Sequence, residues 1–327
     1  MDELNWSQRY CGEEVIEHYQ HGEISRRKMM RELVLICGSL TTASALLAAC
    51  GGDDKAASSS SSSSSSAPSI TAATTTTAPS TTVAPTTTAA TTGPKLSVAA
   101  NDPAVRAADV TYSGPAGTLQ AYITRPSASG TRAAVIVIHE NRGLTDHIKD
   151  VARRVAKAEF IGLAVDLASR SGGTVAAGGN ISGVLSSVPS ADRIADINAG
   201  VKYLETQTDY NGKLGITGFC FGGGVTFEYA GAQPSIRAAV PYYGSTVKEN
   251  YASTKAAILT HYGGTDSRIN ASIPDVEATL TGKTTFEKRV WDGAGHAFNN
   301  DTGGAYNEKA AVDAWQLTVD WFKKHLA

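Results

Sequence analysis

Apolar and polar positions change period along this chain, and the changes divide it into three parts. From residue 95 onward, short strand-like runs alternate with stretches of helical spacing. Alternating runs over 108–113 and 119–125 flank Gly114-Pro115-Ala116-Gly117 and predict a hairpin at a sheet edge. Residues 133–139 form a continuous apolar, β-branched run, the composition of a strand covered on both faces. Helical spacing follows over 146–159, where Ile148, Val151, Val155 and Ala158 recur on one side. Further strands are predicted at 160–165, 213–217, 237–242, 256–261 and 285–291, and helices near 191–205, 225–230, 273–280 and 307–325. This alternation predicts an α/β domain with a mostly parallel sheet and helices on both faces.

The first 94 residues follow another logic. Residues 25–31 read Ser-Arg-Arg-Lys-Met-Met-Arg, an apolar stretch covers 33–49, and small residues lead into Cys50. A basic run, an apolar run and small residues before a cut site predict an export signal over 1–50. The Arg26-Arg27 pair resembles a twin-arginine signal, with Met29 where an aromatic is usual, so the general secretory route stays open. Leu47-Ala48-Ala49-Cys50 resembles a bacterial lipobox, which implies lipid on Cys50 and a membrane-anchored lipoprotein on the extracytoplasmic side. An uncleaved membrane anchor is the alternative. Residues 51–94 are Ser, Thr, Ala and Pro repeats, including nine consecutive serines from Ser58 to Ser66. Such a segment buries too little apolar surface to fold, and as a flexible stalk it spans roughly 35–40 Å. The remaining residues, 95–327, suffice for one domain.

Charge and cysteine usage narrow the functions. With 29 basic and 31 acidic residues and no basic stripe, nucleic acid is not an expected partner. Cys11 and Cys37 belong to the signal, Cys50 to the lipid site, and Cys220 is alone in the domain, so no internal disulfide is expected. No pattern fixes an oligomeric state, and a monomer is the expectation.

That cysteine sits in Gly218-Phe219-Cys220-Phe221-Gly222, between a predicted strand and a predicted helix. This is the nucleophile-elbow pattern with cysteine at the apex. Glycines on both sides allow a sharp turn, and the helix N-terminus beyond it favours a thiolate. A buried, inert cysteine is the bland alternative. Three more candidates follow strand ends, where open α/β sheets place their chemistry: Glu140, Asp266 and His296. The order nucleophile, acid, histidine is that of α/β-hydrolases. A thiol needs a base to become a nucleophile, and His296 oriented by Asp266 can supply one. Glu140, at the end of a buried strand, is expected to be desolvated with a raised pKa. The backbone N–H groups of Phe221 and Asn141 are the candidate oxyanion hole.

With those residues in view, the domain resembles the dienelactone hydrolase family of the α/β-hydrolase fold. The matching pieces are His139-Glu140-Asn141-Arg142-Gly143, Asp166-Leu167, the elbow, Tyr262-Gly263-Gly264-Thr265-Asp266 and Gly295-His296-Ala297-Phe298. The resemblance implies Cys220 as nucleophile, His296 as acid/base, Asp266 as its orienting carboxylate, and Glu140 as the group that holds the resting thiol. It implies a small ester or lactone as substrate and no cofactor. It also implies two arginines that grip a substrate carboxylate. Arg170 matches one of them, Asn300 stands where the second is expected, and Arg142 could replace it sterically. Thioester or peptide hydrolysis on the same apparatus, or a non-catalytic binding lipoprotein, are the competing readings. His139, His147 and His261 lack metal-ligand spacing, so no metal is expected. The paired glycines at 172–173 and 178–179 predict a flexible loop.

Overall fold

The computed structural model describes residues 4–20, 22–50 and 96–327; the expected stalk, 51–94, lies outside them. Eight strands form one sheet: β1 (Val105–Gly114), β2 (Gly117–Pro126), β3 (Arg132–Ile138), β4 (Ile161–Val165), β5 (Tyr210–Phe219), β6 (Ile236–Tyr242), β7 (Ala257–Gly263) and β8 (Phe286–Trp291). Three helices precede it: α1 (Trp6–Gln20), α2 (Arg26–Cys37) and α3 (Leu40–Ala49). The rest are α4 (Asp146–Lys157), α5 (Thr174–Ala177), α6 (Ile181–Ser187), α7 (Ser190–Glu205), α8 (Phe221–Ala232), α9 (Ser267–Asn270), α10 (Ile273–Leu280) and α11 (Glu308–His325).

The strand order is β1-β2-β4-β3-β5-β6-β7-β8. β1 and β2 form the expected edge hairpin, β2 meets β4 antiparallel, and every later pairing is parallel. The apolar run in β3 lies at the sheet's interior with Ala133 through Ile138 all buried. Each Val or Ile there contributes about 1.5–3 kcal/mol relative to exposure.

Partners across a parallel pair point to the same face. Gly162, Val135 and Gly215 are partners across β4, β3 and β5. A side chain at Gly162 would strike the Ala152 carbonyl of α4, and one at Gly215 would strike Phe322 of α11. Those two helices therefore cover one face. On the other, Leu163 packs under Gly200 of α7, and Gly218 lies against Thr226 of α8. The mostly parallel sheet flanked by helices is that of an α/β-hydrolase, as expected.

Two segments differ from the sequence expectation. The glycine-rich stretch read as a flexible loop carries α5 and α6. Asp166, just past β4, organises it: its carboxylate accepts from the backbone N–H groups of Ala168 and Thr174 and from the Thr174 hydroxyl. The apolar stretch 33–49 is not one helix, because Gly38 takes φ +75° and Ser39 caps α3. α2 and α3 meet at a bend of 112°, and no single helix among the described residues is long and apolar enough to cross a membrane. α1, which no apolar period announced, packs on α2 and α3 and reaches α6 and α8.

α4 is tied to the loop after β8 by a buried charge cluster. Asp150 accepts from Arg154 Nε at 2.7 Å and from the Val98 N–H at 2.6 Å. Arg154 also reaches Asp301 at 3.1 Å. Replacing Asp150 by alanine leaves Arg154 short of a buried partner, and should cost about 3–5 kcal/mol. The urea midpoint is the measurement; a shift corresponding to less than 1 kcal/mol would count against a buried role for this pair.

Candidate active site

The four expected catalytic residues stand at the carboxyl ends of parallel strands: Glu140 after β3, Cys220 after β5, Asp266 after β7 and His296 after β8. Cys220 adopts φ +57°, ψ −119°, a conformation that costs a non-glycine residue about 1–3 kcal/mol. The turn survives because its flanks leave no room for anything but glycine. A Cβ on Gly218 would lie 2.2 Å from the Gly222 carbonyl oxygen. One on Gly222 would lie 2.5 Å from the carbonyl oxygens of Ile138 and His139. The Cys220 N–H donates to Tyr242 O at 3.1 Å, and its carbonyl accepts from the Gly223 N–H at 2.9 Å. α8 starts at Phe221, whose N–H is one of the first-turn donors without a partner inside the helix.

His296 Nδ1 and Asp266 Oδ2 are 2.6 Å apart. Asp266 also accepts from the Ile269 N–H at the start of α9, which fixes the carboxylate. With Nδ1–H donating to Asp266, Nε2 carries the lone pair, and it is buried without a hydrogen-bond partner. Burial alone would lower the histidine's pKa, but the hydrogen bond and charge of Asp266 outweigh it and the net shift is upward. The reciprocal holds for Asp266: burial opposes ionisation, and the histidine pulls the carboxyl below its usual range.

The thiol is the first surprise. Cys220 Sγ donates to the carboxylate of Glu14, at 3.1 Å to Oε1 and 3.3 Å to Oε2. Sγ, a ring nitrogen of His296 and a Glu14 oxygen lie within 4.8 Å of one another. Among the described residues this is also the one group spaced to share a metal ion, and two of its members are the expected nucleophile and histidine. The expectation that Glu140 holds the resting thiol is thus corrected, because Glu14 takes that place. Glu140 instead accepts from Asn300 Nδ2 at 2.8 Å through Oε2, while its buried Oε1 has no partner. As expected, burial raises the Glu140 pKa.

The expected thiolate is corrected as well. Cys220 is 2% exposed. Burial, and then the charges of Glu14 and Glu140, push its pKa well above the free-thiol value. These effects outweigh the helix N-terminus, which contributes at most about 2 kcal/mol.

Arg170 does not reach the site. Its guanidinium is committed to α7, with Nε 2.6 Å from Asp196 Oδ2 and Nη1 3.3 Å from Asp192. The cavity over Cys220, about 460 Å³, is lined instead by Arg142, Asn141 and Asn300, together with Glu140, His296 and Glu14. The remaining strand-end histidines are structural. Leu167 N–H donates to His139 Nε2, so Nδ1–H donates to the Glu140 carbonyl at 2.6 Å and pins the backbone there. Trp291 Nε1–H donates to His261 Nδ1, and burial lowers that histidine's pKa to about 3. Glu14 was missed by the sequence reading. Its signal was available in Trp6, Tyr10 and Glu14, spaced by four on one helical face.

Comparison with known proteins identifies the family and the fold. The model of the dienelactone hydrolase family matches residues 119–326. A protein of Methylorubrum extorquens, provisionally named a carboxymethylenebutenolidase, is 35% identical over 227 residues, covering 64% of this chain and 78% of its own. A crystal structure from Klebsiella pneumoniae, provisionally described as a dienelactone hydrolase, is 30% identical with a TM-score of 0.64, covering 68% of this chain and 99% of its own. Dienelactone hydrolase from Anabaena variabilis, at 18% identity and TM-score 0.55, shares the fold over 68% of this chain and 100% of its own.

The raised His296 pKa gives a test. A neutral imidazole is needed to accept a proton, so turnover should fall as pH drops through a value above the usual 6.5. Asp266→Asn removes the charge that raises it and leaves the burial that lowers it. The acid limb of the kcat/KM profile should then move to lower pH, with turnover reduced on the order of 10³–10⁴-fold. An unmoved limb would mean that another group titrates.

Proposed function

The chain belongs to the dienelactone hydrolase family of hydrolases, and we propose that it cleaves a small ester or lactone through a thioester on Cys220. The observation that carries this reading is the pairing at one strained turn: a thiol at the elbow, and an unpartnered imidazole Nε2 whose other nitrogen is bound to Asp266.

In this reading the thiol proton passes to His296 Nε2 as Sγ attacks the substrate carbonyl carbon. The charge that develops on the carbonyl oxygen is met by the N–H groups of Phe221 and Asn141. Collapse of the tetrahedral adduct breaks the C–O bond, and the imidazolium returns its proton to the departing oxygen. Water then attacks the thioester with His296 again as base, and loss of Sγ restores the thiol and frees the acid. Glu140, a carboxylate near the thiol whose pKa burial raises, is a second group able to accept that proton.

The cavity wall supports a substrate with little negative charge. Among the described residues Arg142 is its one arginine, Asn300 offers an amide where a second arginine would grip a carboxylate, and Arg170 is held by Asp196. The basic run 25–31, the apolar stretch beyond it and Cys50 support export and lipid attachment on the extracytoplasmic side.

Incubating the domain 96–327 with p-nitrophenyl acetate should give a burst of p-nitrophenol and an acetyl group on Cys220 detectable by peptide mass spectrometry. Cys220→Ala should abolish both while leaving the fold intact. Equal hydrolysis by the two proteins would remove the cysteine from the mechanism. A small neutral enol-lactone should be preferred over its carboxylate-bearing counterpart, measured as kcat/KM.

A further inference from the structure

The first helix lies across the mouth of the site, and its contacts are specific on each successive turn. Trp6 stacks on Phe221, the residue after the nucleophile, with ring centroids 5.8 Å apart and planes 17° from parallel. Its indole N–H donates to Ser245 O at 3.2 Å. Arg193 lies over both rings, 5.7 Å from Trp6 and 5.9 Å from Phe221. Glu228 of α8 pairs with that arginine at 3.1 Å. One turn on, Tyr10 packs on Phe221 at 6.4 Å and carries the Arg268 guanidinium over its ring at 5.1 Å. A further turn brings Glu14 to the thiol, and Glu17 closes the seam with an ion pair to Arg268 at 2.9 Å.

We infer that residues 6–20 are an intramolecular ligand of the catalytic groove, a helix with aromatic anchors whose Glu14 carboxylate occupies the place of a substrate acyl group, so that the chain is latent while segment 4–50 remains attached and docked. The inference rests on the reading of Cys220 as nucleophile. Helix-in-groove recognition of this kind uses anchors at spacings of three and four, as found here. The carboxylate cannot be attacked productively, since it offers no leaving group better than oxide. It takes the Sγ–H hydrogen bond, and the thiol at this position is 2% exposed.

The same segment carries its own means of removal. α1 is held by α2 and α3, which pack on it, and those helices coincide with the basic and apolar runs that end at Cys50. Cutting before Cys50 turns α1 into a separate ligand that can dissociate for good, and drawing α2 and α3 into a membrane-bound export apparatus pulls it from the groove and exposes Sγ. The hydrolase unit has its full set of elements without the segment. All eight strands and α4–α11 lie within 105–325, and the Klebsiella relative aligns over 99% of its length to 68% of this chain.

The test compares three proteins: the full chain, the full chain carrying Trp6→Ala with Tyr10→Ala, and the domain 96–327. Iodoacetamide labelling of Cys220 is followed by peptide mass spectrometry, which separates it from Cys11, Cys37 and Cys50, and p-nitrophenyl acetate turnover is measured in parallel. The double variant and the domain should label on the order of tenfold faster or more than the full chain, because reactivity scales with the fraction of open molecules. Glu17→Arg, which faces Arg268 with a like charge, should give the same release without removing any aromatic packing. Equal labelling in all forms, or slower labelling in the domain, would overturn the inference. Faster labelling without turnover in any form would uphold the docked helix and sink the hydrolase reading instead.

Discussion

The strained turn at Cys220 is the constraint on which the rest of the site depends. A positive φ at a cysteine persists only if its surroundings over-determine it. Here they do so from three sides: the Gly222 position is closed by β3, the Cys220 N–H is held by β6, and the Cys220 carbonyl is held by α8. The outcome is one side chain standing off the sheet next to a helix N-terminus. The chemistry of the remaining residues is organised around that fixed point.

The electrostatics around it are opposed rather than uniform. Asp266 raises His296 and makes it a stronger proton acceptor, while Glu14 and Glu140 hold the proton on sulfur. In this closed arrangement the carboxylates and burial win over the helix dipole, and the thiol stays protonated. Displacing Glu14 removes a charge second only to burial among the effects that raise it, removes its hydrogen bond as well, and lets in solvent that weakens the burial effect. A thiol of this kind is poised by occupancy of its cleft, not by a permanently low pKa, which also shields sulfur from oxidants.

Much of this was legible in the chain. The β-branched run of β3 required two covered faces, and the Gly218–Gly222 spacing encoded the elbow. The order of Cys220, Asp266 and His296 told which strand ends would converge. What escaped depended on tertiary partners. The glycines at 172–173 and 178–179 read as a flexible loop because the order there comes from Asp166, a residue outside the segment. Arg170 matched a substrate-gripping position by motif, yet Asp196, two turns into α7, had already claimed it. α1 was passed over because its useful face is aromatic and acidic, and because a stretch ahead of a basic run reads as a leader without structure of its own.

Glu14 and Cys220 are separated by 206 positions in the chain. At common rates of synthesis the ribosome needs roughly 10–40 s to traverse that distance. The blocking helix is therefore made first and is present when the elbow emerges and closes. By the time the elbow can form, the segment that covers its sulfur is already part of the chain. The order of residues along the gene product thus acts as a safety interval, built into the direction of translation and independent of any later partner.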